Sequence, residues 1–109
     1  IFKQIGEKHG PFDLTIMENG AYDKSWSNEH MNPEETLQAH LDLKGEALLP
    51  VHNSTFDLAF HPWNAPLEKI SDLANSQNIH LLTPTIGAPY TLKADNTLFT
   101  DNLRWWLSE

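Results

Sequence analysis

Short apolar runs alternate with helix-like stretches along this sequence, and that alternation is the strongest restriction on its fold. The spacing predicts helices over residues 1–9, 32–44 and 64–74, and strands over 12–17, 47–51, 79–82 and 87–92. Strands that alternate with helices of about a dozen residues are typical of an α/β layer with parallel strand pairing. We therefore predict one α/β unit, a single domain or fragment, over residues 1–109.

Local signals support both central helices. Asn32 can cap the first of them, Pro33 suits the first helical position, and Glu35 stands where a capping box requires a carboxylate. The later helix opens at Asn64-Ala65-Pro66 and continues with apolar residues three and four apart, as an amphipathic helix does.

Composition excludes several classes of function. The net charge is −8 and only 7 residues are Lys or Arg, so we expect no nucleic-acid surface. The chain has no cysteine, which removes disulfides, thiolate nucleophiles and cysteine metal sites. Any metal site must use Asp, Glu or the 6 His. No run approaches the roughly 20 apolar residues that a membrane-spanning helix needs.

We expect the chain to be part of a larger fold. It begins at Ile1 rather than at a methionine, and a few short strands covered on one face would leave apolar surface open. Such a piece is expected to self-associate or to require its N-terminal half. The closing Trp105 and Trp106 are expected to pack against the rest. Membrane association and compartment stay open, with the cytoplasm favoured.

Three histidines are candidates for chemistry because each lies in or beside a loop next to a predicted element. They are His30, His52 and His61, and neutral imidazole is both a common metal ligand and an acid–base group. Each also has a structural explanation. His30 would bond to loop backbone, His52 would close a buried strand, and His61 would pack within Phe60–Trp63. No pair has the spacing of a helical zinc motif.

Two other side chains have alternative interpretations. Glu18 could be an acid, a base or a ligand, or simply a turn carboxylate, and Tyr22 could donate to an anion or fill a gap.

The triplet Asn53-Ser54-Thr55 fits an N-glycosylation sequon. A glycan there would block the rim beside His52, so we do not expect the modification.

Four segments together resemble the C-terminal half of metallo-β-lactamase-fold hydrolases. They are ENGAYD, HMNPEE, PVHNSTFDLA and HPW, and the similarity covers roughly residues 7–92. The branch concerned contains N-acylphosphatidylethanolamine-hydrolysing phospholipase D and RomA-like and UlaG-like bacterial relatives. The resemblance implies an α/β fold that is the C-terminal half of an αββα sandwich. Asn53-Ser54 replaces the Trp-Gly of many relatives, which changes the pocket wall.

The resemblance also implies a mechanism. The family binds two metal ions, usually zinc, with iron or manganese as alternatives, and most ligands come from an HxHxDH motif that these residues lack. His52 matches the last metal-binding histidine. His30 matches a catalytic residue near the leaving or phosphate group of the substrate. Tyr22 would face the same opening of the active-site pocket. A metal-activated water would cleave a phosphodiester, lactone or similar small or lipid-like ester.

Two alternatives to a hydrolase stay open. The chain could be an acidic α/β interaction module with structural histidines, or a metal-free member of the fold that binds a small ligand. An HxHxDH motif upstream would favour the hydrolase. The fragment by itself is expected to be inactive and to bind metal weakly, because a catalytic zinc normally has about three protein ligands.

Overall fold

Helices and strands alternate along the chain, as the sequence predicts. The computed structural model describes residues 1–26, 28–54, 61–89, 91 and 104–107. Its elements in chain order are α1 (Phe2–His9), β1 (Phe12–Glu18), α2 (Pro33–Asp42), β2 (Gly45–Val51), α3 (Ala65–Ser76) and β3 (His80–Leu81). Short 3₁₀ turns cover Lys24–Trp26 and Trp105–Leu107. No helix within the described ranges is long and apolar enough to cross a membrane.

The strand expected over 87–92 is absent from the part of that range that the structure describes. Gly87 has a φ of 84°, and Ala88 N–H donates to the Thr85 carbonyl at 2.9 Å, so the chain turns here. A left-handed glycine in a closed turn prevents the extended run that the prediction required. Residues 90 and 92 lie outside the described residues.

The three strands form one parallel sheet in the order β1-β2-β3. The register pairs Glu18 with Val51, so Glu18 and the residue after Val51, which is His52, emerge together at the carboxyl edge of the sheet. Parallel α/β sheets commonly place ligands at this edge. The fold therefore brings together two side chains that lie 34 positions apart in the sequence (52 − 18).

One face of the sheet carries the core and the other exposes apolar side chains. Leu37 of α2, Leu48 of β2 and Ile70 of α3 are fully buried where the helices cover the sheet. On the opposite face Ile16 is 58% exposed beside its register partner Leu49. Burial of apolar area drives folding, so a face of this kind favours contact with further protein surface.

The start of α2 is fixed by the capping box that the sequence predicts. The Asn32 side chain accepts from Glu35 N–H at 2.8 Å, and the Glu35 carboxylate accepts from Asn32 N–H at 3.0 Å. The Thr36 hydroxyl then donates to the Glu18 carbonyl at 2.7 Å. These bonds hold the first turn of α2 against the end of β1, and His30 lies two residues before the capping Asn32.

A buried histidine in α2 predicts that stability depends on pH. His40 is 2% exposed, and its Nδ1 shares a 2.7 Å hydrogen bond with the Thr15 hydroxyl. Burial lowers the pKa of His40, so below about pH 6.5 the unfolded chain binds a proton that the folded chain resists. Stability is therefore complete above that pH and decreases as the pH falls toward the folded-state pKa.

The measurement is urea unfolding of the wild type and a His40→Gln variant at about pH 7.5 and about pH 5.5. The wild type should lose more stability between the two values than the variant, although the variant is less stable overall. Equal losses of stability in the wild type and the variant would contradict the assignment of the pH dependence to His40, because glutamine carries no titrating proton.

Candidate functional site

Glu18, His30 and His52 converge at the carboxyl edge of the sheet. His30 Nδ1 donates to Glu18 Oε2 at 2.6 Å, and His52 Nδ1 lies 3.6 Å from the same oxygen. The other carboxylate oxygen, Oε1, accepts from Met31 N–H at 2.8 Å. One donor atom from each of the three side chains lies within 4.8 Å of the others. A carboxylate and two imidazoles form a donor set that divalent transition metals accept.

The Glu18 carboxylate is held in its charged form. Burial by itself raises the pKa of Glu18, but the bonds from His30 and Met31 and the nearby imidazoles outweigh it, so the pKa lies below its usual value. An ionised carboxylate only accepts hydrogen bonds, so His30 Nδ1 must carry a proton. In neutral His30 the lone pair is then on Nε2, which has no partner among the described residues.

The backbone at His52 is unusual for a residue that is not glycine. His52 has a φ of 61° and Ser54 has a φ of 68°, both in the left-handed region. Such conformations cost energy and are concentrated at functional sites. Gly20 makes the arrangement possible, because a Cβ there would lie 1.8 Å from the His52 carbonyl oxygen. The ends of β1 and β2 can therefore approach only with glycine at position 20.

A cavity of about 510 Å³ lies beside this cluster and shares His30 with it. Tyr22 stacks on His61 with ring centroids 4.3 Å apart and planes inclined by 25°. Both rings line the cavity, and Lys69 and Glu34 lie across it in an ion pair of 3.1 Å. Burial raises the pKa of Tyr22, so its hydroxyl stays a donor at neutral pH.

A smaller cavity of about 280 Å³ opens directly at the two imidazoles. Ala21, Trp26 and Glu29 line it together with His30 and His52. Trp26 Nε1–H donates to the Ala21 carbonyl at 2.5 Å, which fixes the loop after β1 as a wall of this cavity. His30 therefore lies between the two cavities, where it can reach a group held in either.

The structure brings together His30 and His52 but places His61 apart from them. His61 Nδ1 donates to the Pro62 carbonyl at 3.2 Å, and the ring belongs to the wall formed with Tyr22. The side-chain amide nitrogen of Asn53, the first residue of the sequon, is buried. Thr55, the third sequon residue, lies outside the described residues.

Sequence reasoning treated Glu18 as one of several possibilities and did not connect it to both histidines. The available signal was the position of Glu18 at the end of β1, opposite Val51, which directly precedes His52. Residues at the ends of neighbouring parallel strands meet at one edge of the sheet. Reading that signal required the exact pairing of β1 with β2.

Comparisons with known proteins show which sequences this chain is similar to. Residues 1–53 match the family described as beta-lactamase superfamily domain. An uncharacterised protein of Mycobacterium tuberculosis is 46% identical over 89 residues, covering 79% of this chain and 24% of that protein. Outer membrane protein RomA of Klebsiella pneumoniae is 57% identical over 51 residues, covering 47% of this chain and 39% of that protein.

The N-acyl-phosphatidylethanolamine-hydrolyzing phospholipase D 1 of Caenorhabditis elegans is 32% identical over 79 residues, covering 70% of this chain and 22% of that enzyme. The chain spans about a quarter of the length of the mycobacterial relative. The family match, these relatives and the α/β fold agree with the resemblance found in the sequence. This chain is therefore similar to the beta-lactamase superfamily domain over residues 1–53, and its relatives indicate the metallo-β-lactamase-fold branch that is like RomA and this phospholipase D.

Proposed function

We propose that this chain is the C-terminal part of a metal-dependent hydrolase that cleaves a phosphodiester, lactone or similar ester. The observation that carries the proposal is the Glu18–His30–His52 cluster, whose donor atoms lie within 4.8 Å of one another. The match of residues 1–53 to the beta-lactamase superfamily domain and the similarity to a phospholipase D support a hydrolase fold. Zinc is the proposed metal, at about two ions per complete protein, with iron or manganese as alternatives.

The donor atoms of Glu18, His30 and His52 are close enough to one another to fit a metal centre. His52 would be a ligand, and the Glu18 carboxylate would hold the two imidazoles in a fixed orientation, as carboxylates beside ligating histidines commonly do. When bound, the metal would polarise the oxygen of the ester and lower the pKa of a water molecule. Because a catalytic zinc has about three protein ligands plus water, the rest of the protein would supply the others.

His30 is the proposed catalytic residue of this chain. With Nδ1 bound to Glu18, its Nε2 is the nitrogen that can contact the substrate. His30 would give a proton from Nε2 to the leaving-group oxygen, while its Nδ1 stays bonded to Glu18 and keeps the ring in place. Tyr22 would donate its hydroxyl to a substrate anion held in the larger cavity.

The whole activity requires more protein than this chain contains. The chain covers 24% of the mycobacterial relative and 22% of the nematode phospholipase D, and the HxHxDH motif is absent from its sequence. We propose that the chain alone is inactive. The sheet face around the exposed Ile16 would be covered by an N-terminal half or, without it, by a second copy.

The test of the proposed function is metal content and chelation of the complete wild-type protein. We expect about two transition-metal ions per chain, with hydrolysis of bis(p-nitrophenyl) phosphate or a simple lactone that stops on chelation and returns with zinc. Hydrolysis that survives full removal of metal would contradict the proposal. A protein purified without chelators that holds no stoichiometric metal would favour the interaction module.

Substitution of Glu18 by glutamine should weaken metal binding by about 10–100-fold. The amide has one oxygen instead of two, so it cannot accept from both His30 Nδ1 and Met31 N–H as the carboxylate does, and it has no charge to attract His52. Zinc affinity is measured by competition with a chelator. Glu46→Gln, an exposed carboxylate at the opposite end of β2, is the control and should match the wild type. Equal affinities for the two variants would exclude this role of Glu18.

A further inference from the structure

The residues Arg104–Leu107 are here called the tail turn. The Arg104 guanidinium and the buried Trp106 ring attach this turn to α3. Arg104 Nη2 donates to Asp72 Oδ1 at 2.9 Å, and Nη1 donates to Glu68. Trp106 Nε1–H donates to the second carboxylate oxygen of Glu68 at 2.7 Å, and its side chain is only 1% exposed. Charge-assisted bonds to a buried indole and a forked guanidinium fix both the position and the orientation of the turn.

Between these two anchors, Trp105 extends toward the chain segment that follows His61. Its ring lies 6.5 Å from that of Trp63, with planes inclined by 29°, and it meets Trp106 edge to face at 5.7 Å. Aromatic pairs at these separations stabilise a contact by more than the burial of their apolar area alone provides. Trp63 is two residues after His61, so the tail turn supports the part of the chain that supplies one wall of the larger cavity.

Trp105 also faces the chain segment that follows His52. Together with Asn53, Pro50 and Thr83 it lines a small cavity of about 130 Å³ at the carboxyl edge of the sheet. Asn53 is the residue directly after His52. Trp105 therefore lies near the site region on two sides: it shares a cavity with Asn53, which follows His52, and its ring stacks beside that of Trp63, which lies two residues after His61.

We propose that the tail turn is a positioning element of the metal site and that Trp105 is its central residue. The inference rests on the proposed function. The His52 side chain is 46% exposed, and among the described residues its polar contact is Glu18 at 3.6 Å. Its placement therefore depends on the backbone that follows it. The Trp105 ring shares a small cavity with Asn53, so it would limit the space into which that backbone can move, and small displacements of a ligand weaken a metal site.

The test compares three variants of the complete protein by Co²⁺ titration and by the imidazole NMR signals of the metal-free form. Trp105→Ala should weaken Co²⁺ binding by about 10-fold or more, alter the visible spectrum of bound Co²⁺ and shift the signals of His52. Trp105→Phe retains an aromatic ring and should recover most of the affinity. Leu107→Ala, in the same turn but 56% exposed, should match the wild type.

The possible outcomes separate this inference from the proposed function. A folded Trp105→Ala protein with the affinity, spectrum and His52 signals of the wild type overturns the inference and leaves the hydrolase proposal intact. A wild type that binds no Co²⁺ contradicts the hydrolase, and the His52 signals of the metal-free variants then decide the positioning role. If Trp105→Ala does not fold, Trp105→Leu, which keeps apolar volume without a ring, decides by the same measurements.

Discussion

Replacement of His52 by alanine is expected to lower the metal affinity of the complete protein by more than about 100-fold and to abolish hydrolysis. The proposed role as a ligand explains the size of the effect, because no other imidazole among the described residues could replace it beside Glu18 and His30. Stability should change little, since the side chain is half exposed and lies beyond the end of β2. Metal analysis checks the expected loss of metal, steady-state kinetics check the loss of hydrolysis, and thermal unfolding checks the stability.

Two variants make the His52 experiment specific. His52→Asn suits the left-handed backbone better than alanine does, so a loss of metal shared by both variants is not a backbone effect. His9→Ala removes an exposed histidine at the end of α1 and should leave metal content and rate unchanged. A His52→Ala protein with the full metal content and rate of the wild type would exclude His52 as a ligand.

The second large effect is expected from Gly20→Ala, a change of one methyl group outside the ligand set. The new Cβ would lie 1.8 Å from the His52 carbonyl oxygen and 2.8 Å from Asn53 Cα. Both are backbone atoms, so the ends of β1 and β2 must separate, at a cost of about 1–3 kcal/mol in the free energy of unfolding. Separation moves His52 away from Glu18, and metal affinity should fall in the folded protein.

A matched control distinguishes loss of stability from loss of the site. Gly6→Ala places a Cβ 2.1 Å from the Asp42 carbonyl oxygen, in the contact between α1 and α2. It should destabilise the protein to a similar degree and leave metal affinity at the wild-type value. Chemical unfolding and chelator competition on both variants check this. An unchanged affinity in Gly20→Ala, or an equal loss in Gly6→Ala, would contradict the explanation.

The sequence predicts the elements well because their signals are local. The capping box of Asn32 and Glu35 lies within four residues, and the apolar runs of β1 and β2 need no knowledge of distant contacts. The strand expected over 87–92 was wrong in its described part, since the left-handed turn at Gly87 interrupts the extended backbone. A glycine and a proline three residues or fewer apart favour a turn over a strand.

The site is predictable only in part because it depends on register. His30 and His52 were identified as candidates, but their common contact with Glu18 requires β1 and β2 to pair in parallel with Glu18 opposite Val51. A shift of one residue would turn the Glu18 side chain to the other face of the sheet. The attachment of the tail turn to α3 joins residues 36 positions apart and has no local pattern either.

Glu18 is the last residue of β1 and His52 directly follows β2, whereas Tyr22 and His61 lie further from the strand ends in the chain segments between elements. Substitutions in those segments can therefore reshape the larger cavity without moving the strand ends. Relatives of this chain could acquire new substrates through changes near residues 22 and 61 while they keep the same donor atoms at 18 and 52. Under this arrangement, the choice of substrate and the chemistry of the centre can evolve separately on one scaffold.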